Sequence, residues 1–165
     1  MDINIIPATK GHLSGILEIV NYNIRHTTAL YDYEAKSLLD MEVWFSDKLN
    51  NKWPVIVATI NDTVLGYGSF GSFRAKEACK FTIEHSVYVS TDNSGKGIGG
   101  LLLTELIRLA TAQGYHTMIG AIDADNKGSI TFHEKFGFKD AGTIRQAAFK
   151  FDRWLDLTFM QLMLK

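Results

Sequence analysis

At 165 residues and a net charge of −1, the chain is long enough for one domain with a real core and too short for two. Apolar residues make up 46% and charged residues 21%, an ordinary balance for a soluble globular protein, and with no basic stripe among the Lys and Arg residues nucleic acid is not expected as a partner. A lone cysteine, Cys79, precludes an intrachain disulfide and points to a reducing, cytoplasmic setting; no run approaches the ~20 apolar residues of a membrane span, and the start Met-Asp-Ile-Asn-Ile-Ile does not read as a signal peptide.

In chain order, Asp2–Ile6 reads as a short strand ending at Pro7. Thr9 is placed to cap a helix carrying Leu13, Ile16, Leu17 and Val20 at helical spacing. Asn21–Glu34 is polar and aromatic without a period and is expected to be a loop. Ser37 caps a second helix, with Leu38, Met41, Phe45 and Leu49 on one face. Val55–Ile60 and Val64–Phe73 are strands joined by an Asn61-Asp62 hairpin turn. Arg74–Lys80 is a charged connector. Phe81–Val89 is a strand, Leu101–Ala110 the body of a helix that Gly114 ends, and His116–Ile122 the next strand. Asn126–Phe136 is a short helix closed by Gly137. Phe138–Ile144 and Leu155–Leu164 are the last strands, joined through Arg145–Trp154. The order predicts a mixed α/β fold in which antiparallel strands come first and one parallel crossover surrounds the segment between Val89 and Leu101.

That crossover carries Gly95, Lys96, Gly97, Ile98, Gly99 and Gly100. A strand, a glycine loop and a helix N-terminus together make an anion site. Glycine lets backbone approach closely, and the first-turn N–H groups have no helical partner. Three readings compete. A bare turn sits poorly with four glycines in six positions. A dinucleotide fold fits Gly95-x-Gly97-x-x-Gly100 literally, but Ser90–Ser94 separate the strand from its first glycine and no second βαβ half follows. The third reading is a loop for the diphosphate of coenzyme A.

Further motifs accompany the loop: Gly66-Tyr67-Gly68-Ser69-Phe70-Gly71, Glu84-His85-Ser86-Val87-Tyr88-Val89, Phe132-His133-Glu134-Lys135-Phe136-Gly137-Phe138 and Lys150-Phe151-Asp152-Arg153-Trp154-Leu155-Asp156-Leu157. With these, essentially end to end, the chain resembles the GNAT N-acetyltransferase family, and within it the phosphinothricin and methionine sulfoximine acetyltransferase group. The resemblance implies the GNAT acyl-CoA N-acyltransferase fold, a mixed, mostly antiparallel sheet flanked by helices. It implies an enzyme using acetyl-CoA, without metal, on the α-amine of a small amino acid or analogue, by direct attack in a ternary complex. It also favours a homodimer, with Trp154–Phe159 as a candidate contact. The alternatives are a protein or peptide N-acetyltransferase and a coenzyme A-binding module that has lost catalysis. Ser94 stands where the family usually carries Arg or Gln, which removes a side-chain contact to the diphosphate and leaves the backbone cradle.

Acetyl transfer from a thioester to an amine needs a held coenzyme, a deprotonated amine and a stabilised oxyanion. It needs no enzyme nucleophile, and Cys79 has neither a helix start nor a partner His nearby. Glu84 matches the family's general base. A carboxylate inside an apolar strand is a local misfit of the kind found at sites, though a solvated strand face would also accept it. Thr82, Glu84, Ser86 and Tyr88 share one strand face; Ile83, His85, Val87 and Val89 share the other. His133 stands where many members carry a tyrosine; it either protonates the leaving thiolate or orients the coenzyme. His85 reads as a buried, hydrogen-bonded His or as a second acceptor-side group. Val87, Tyr88 and Val89 offer backbone to the pantetheine arm, and one of their N–H groups to the oxyanion. Asn126 matches a coenzyme-contacting asparagine and is also a natural N-cap; Ser129 lies beside it. Arg74, with Lys76, matches an acceptor arginine suited to a carboxylate, or is an exposed loop cation. Tyr31 walls the acceptor pocket or packs in the core. The five His are dispersed, and Asp123, Asp125 and Glu134 lack metal-ligand spacing.

Overall fold

The chain opens with β1 (Asn4–Pro7) and a single 3-10 turn that Thr9 starts, and then enters α1 (Leu13–His26); the computed structural model describes residues 2–165. The loop expected from Asn21 begins only after His26. Ile24 extends the apolar stripe of Leu13, Ile16 and Val20 by one more turn and is 1% exposed, and the Asn23 amide donates to Ile19 O at 2.9 Å. One buried side chain among polar neighbours is enough to carry the helix on. α2 (Leu38–Asn50) is capped by Ser37, whose hydroxyl accepts from Asp40 N while the Asp40 carboxylate accepts from Ser37 N. Met41 and Phe45 are buried as expected, but Leu38 and Leu49 at the ends of that stripe are exposed.

β2 (Val55–Ile60) and β3 (Thr63–Ser72) meet at Asn61 and Asp62, both with positive φ (47° and 63°), as a two-residue hairpin of the expected kind requires. β4 (Thr82–Val89) leads through the glycine loop into α3 (Ile98–Ala112) and then β5 (Thr117–Asp123). α4 (Lys127–Lys135) follows its Asn126 cap. The last two strands are longer than expected. β6 (Lys139–Lys150) and β7 (Arg153–Met163) are joined by Phe151 and Asp152 alone, at φ 53° and 56°. The connector read at Arg145–Trp154 is therefore mostly strand. Register shifts between Ile144 and Ala148, with Gln146 at φ 51°, break the alternation that would have marked it.

The strands form one sheet in the order β1-β2-β3-β4-β5-β7-β6. Every neighbouring pair is antiparallel except β4 and β5, the predicted parallel crossover through α3. One face packs Leu102, Leu103 and Leu106 of α3 against Ile56, Phe70, Ile83 and Met118. The other packs Leu13, Ile16 and Val20 of α1 and Met41 and Phe45 of α2 against Val55, Val57 and Tyr67. Helices on both faces clamp β4 so that its alternation reads as predicted: Ile83 and His85 are buried, while Glu84 and Ser86 on the other face are half-buried. Leu106 is wholly buried, so Leu106→Ala should destabilise the fold by ~2–5 kcal/mol, read as a lowered urea midpoint.

Candidate active site

β4 and β5 pair through only three residue pairs, Thr82 with Thr117, Ile83 with Met118 and Glu84 with Ile119. Beyond Glu84 the strands part. β5 stays bonded to β7 as far as Asp123, and β4 to β3 as far as Val89, so the sheet opens as a wedge. Its walls are Ser86–Val89 of β4 and Gly120–Asp123 of β5, and it forms a cavity of about 530 Å³. Because the opening lies within the sheet, side chains reach it from both faces. Tyr31, Glu84, His85, Val87, Tyr88, Val89, Asn126, Ser129 and His133 all line it.

From the α3 side come the glycine loop and α4. Ser94 lines the cavity margin. Gly97 caps α3 with φ 82°, and the first helical bond runs from Leu101 N to Gly97 O at 3.2 Å. The N–H groups of Ile98, Gly99 and Gly100 precede it and have no intrahelical acceptor. The Ile98 side chain itself is core, Lys96 Nζ donates to Asn93 Oδ1 at 3.0 Å, and nothing lies within 4 Å of a Cβ built on Gly95 or Gly97. The cradle is therefore backbone and open. Asn126 Oδ1 accepts from Ser129 N at 3.1 Å; the cap uses its oxygen and leaves its NH₂ group free for another partner. A wedge with an unpaired β4 edge, ending at a helix N-terminus, fits the pantetheine arm and diphosphate of acetyl-CoA.

His85 and His133 meet across the wedge floor, with their Nε2 atoms 3.0 Å apart. His133 Nδ1 is 2.7 Å from Ser129 O. A carbonyl only accepts, so this nitrogen carries the proton, and His133 Nε2 accepts from His85 Nε2–H. His85 Nδ1 is then a buried lone pair without a partner. A Cβ on Gly120 would fall 3.1 Å from the His133 ring and 3.2 Å from His85 Nε2, so the rings stack where β5 has no side chain. Burial pulls His133 below the usual range, and burial with the neighbouring ring takes His85 down to about 3.

From the α1 side, residues 28–31 roof the cavity. Lys150, 4% exposed, donates to Thr27 O at 2.8 Å and Leu30 O at 2.5 Å. Thr28 Oγ1 donates to Asp123 Oδ2 at 2.5 Å, and Tyr88 OH to Ala29 O at 3.3 Å. The Tyr33 hydroxyl donates to Phe149 O. Tyr31 faces the cavity from this roof, and its hydroxyl is raised by burial and by Asp123. Glu84 lies below, its carboxyl raised by burial and held back by Lys48. Arg74 and Lys76 lie elsewhere: with Lys80, Trp53 and Tyr115 they line a separate hollow of about 210 Å³, and within one chain they do not share Glu84's cavity. Asp123, Thr28, Lys150 and Lys48 were not singled out from sequence. Only Asp123, an acid ending the apolar run Met118–Ile122, carries a local signal. Among the described residues no cluster of metal-ligating side chains occurs, and no helix is long and apolar enough to cross a membrane.

The histidine pair has a consequence for acid stability. Both rings stay neutral when folded, whereas the unfolded chain takes up protons near pH 6.5. Stability is therefore full above pH ~6.5 and is lost as the pH falls toward His85's folded value of about 3, by up to ~1.4 kcal/mol per pH unit for His85, with His133 acting in the same direction. Urea unfolding between pH 6.5 and 4.5 should show a flatter pH slope for His85→Gln than for the wild type; equal slopes would contradict a buried neutral pair.

A family model described as an acetyltransferase (GNAT) domain matches residues 7–159. The L-methionine sulfoximine/L-methionine sulfone acetyltransferase of Pseudomonas aeruginosa is 43% identical over 163 residues, 98% of this chain and 95% of that one. The crystal structure of an N-acetyltransferase from Staphylococcus aureus Mu50 superposes with a TM-score of 0.98 at 45% identity, covering all of both chains. A phosphinothricin acetyltransferase from Sinorhizobium meliloti, solved in complex with acetyl-CoA, gives a TM-score of 0.95 at 35% identity over 99% of this chain and 89% of that one. A parted β4–β5 pair, a glycine cradle at a helix start and likeness along nearly the whole length lead to one conclusion: the chain belongs to the GNAT acetyltransferase family.

Proposed function

We propose that the protein transfers the acetyl group of acetyl-CoA to the α-amine of a small amino acid or analogue of the methionine sulfoximine, methionine sulfone or phosphinothricin kind, by direct attack in a ternary complex. The observation that carries this reading is the position of Glu84. It is the last residue of β4 paired to β5, so its carboxylate stands where the wedge opens, on the face roofed by residues 28–31. The coenzyme supplies a thioester-activated acetyl group; the amine nitrogen forms the new C–N bond as the C–S bond breaks, and coenzyme A leaves as a thiolate that takes the proton the acylated nitrogen sheds.

Glu84 accepts the proton that the substrate ammonium must lose, directly or through a water. The free backbone edge of Val87–Val89 holds the pantetheine arm and offers an N–H to the carbonyl oxygen. The Gly95–Gly100 cradle holds the diphosphate, with Asn126 and Ser129 at the opposite wall. His133 is in the orienting role: both its ring nitrogens are engaged, and burial opposes the protonated form that a general acid needs. The pinned roof favours a small acceptor over a polypeptide, since Lys150 of β6, Asp123 of β5 and Tyr88 of β4 bind it from three elements. Homodimer formation through the β6–β7 hairpin is part of the proposal. β6 is a sheet edge exposed from Lys139 to Ala147, with Ile144, Phe149, Phe151 and Trp154 exposed around it, a combination that monomers avoid.

Two measurements test this reading. Glu84→Gln keeps shape and removes basicity, so kcat, followed by thiol release with methionine sulfoximine as acceptor, should fall ~10²–10⁴-fold near neutral pH. The deficit should shrink as pH rises and more amine arrives deprotonated; retention of more than about half the activity would place the base elsewhere. Gly97→Val puts a β-branched side chain at φ 82°, beside the diphosphate cradle. Acetyl-CoA affinity by calorimetry should drop at least about tenfold, ~1.4 kcal/mol.

A further inference from the structure

α2 delivers one cation to the face of the sheet that carries Glu84. Lys48 Nζ donates to Phe70 O at 3.0 Å and lies over the Trp53 and Trp44 rings, 5.4 Å and 5.9 Å from their centroids; burial draws it below the usual lysine range, while Asp47 and Glu84 hold it up and the ring faces attract the ammonium. A Cβ on Gly71 would fall 3.1 Å from that nitrogen and 3.4 Å from Trp53 Cε3. Lys48 therefore fills the space that a side chain at position 71 would take. Gly71 is the direct cross-strand partner of Glu84. Opposed residues project from the same face with Cβ positions ~4.5–5.5 Å apart. The ammonium and the carboxylate are thus neighbours on the α2 side, across the slot that Gly71 leaves.

Among the described residues the two form no direct ion pair. Lys48 is committed to the Phe70 carbonyl, so it acts on Glu84 through space and leaves the carboxylate oxygens free to take a proton. The other groups facing this region are Asp47 beside Lys48 on α2, Tyr88 on β4, Tyr31 and Asp32 from the roof segment and Asp123 at the end of β5; His85 projects to the opposite face and is held neutral. The tyrosines are raised, Tyr88 by burial up to about 12, and stay uncharged near neutrality. Burial opposes ionisation of Glu84. Lys48 is the cation that offsets burial at Glu84.

We propose that Lys48 is a positioning residue for Glu84, its anchored ammonium keeping the half-buried carboxylate in the ionised form that accepts the amine proton. The proposal rests on the reading of Glu84 as the base. The sign is set by charge: removing the ammonium disfavours the carboxylate, so ionisation moves to higher pH.

The test compares wild type, Lys48→Met, Lys48→Gln, Lys48→Arg and Glu84→Gln. A ¹³C-carboxyl NMR titration of Glu84, assigned by its absence in Glu84→Gln, should move up by about one pH unit in Lys48→Met and Lys48→Gln and return toward wild type in Lys48→Arg. The acidic limb of kcat/KM should move with it, while acetyl-CoA affinity stays unchanged. A merely structural lysine would lower the melting temperature and move neither the carboxyl titration nor the limb; that pattern, in either neutral variant, overturns the proposal. Retention of more than about half the activity by Glu84→Gln would overturn the reading of Glu84 as base, and the proposal with it, whatever the titration shows.

Discussion

A parallel pair of strands that cannot stay together organises this protein. β4 and β5 are bonded for three residue pairs and then part at Glu84 and Ile119, while each remains zipped to its antiparallel neighbour. The strands beyond the parting point thus keep one ladder each and present an unpaired backbone edge to the cavity. Unpaired backbone is costly unless something fills it, and the pantetheine arm of a coenzyme, itself peptide-like, is a suitable occupant. The crossover through α3 brings a helix N-terminus to the same opening, so an unpaired strand edge and free first-turn N–H groups come from one piece of topology. The residue that stands at the fork is Glu84, the last of β4 to pair with β5.

Around the fork, buried polar groups are held by direct hydrogen bonds on both sides of the wedge. The α4 side is held by a neutral histidine couple: a Ser129 carbonyl sets the His133 tautomer, and His133 in turn receives His85. The α1 side is held by a roof whose backbone carbonyls are drawn down by Lys150 and whose Thr28 is tied to Asp123. Lys150 illustrates the cost of such a device. It is a cation buried to 4% exposure, drawn below the usual lysine range by desolvation, and kept in place by carbonyls that would otherwise lack donors. Both sides of the wedge are thereby held in a fixed geometry, on which catalysis by positioning depends.

Much of the fold was legible in the residues. The Asn61-Asp62 turn, the Ser37 cap, the Gly114 stop and the alternation of β4 each follow from local rules, because each depends on neighbours within a few positions. The misreadings fall where that locality fails. α1 runs to His26 because Ile24 finds a core that lies far away in sequence. The β6–β7 hairpin is longer than expected because an exposed edge strand with a bulge loses the period that marks a strand. Apart from these misreadings, Arg74 and Lys76, whose chemistry suits an acceptor carboxylate, line a hollow separate from Glu84's cavity within one chain, a placement that no local rule gives.

The sequence by itself determined the fold class and the glycine turn at the start of α3, and its resemblance to a known family pointed to the coenzyme class and to Glu84 as the candidate base. These rest on hydrophobic period, turn chemistry and contiguous motifs, all written in short windows of chain. Only the tertiary structure decided which distant groups meet. It set His85 against His133, 48 positions on, and Lys150 under a roof 120 and 123 positions away. It also brought Lys48 over Gly71 across from Glu84. The physical reason is that the charge and hydrogen-bond partners of a buried polar group are chosen by packing. Packing joins residues through the core, where separation along the chain has no bearing on distance.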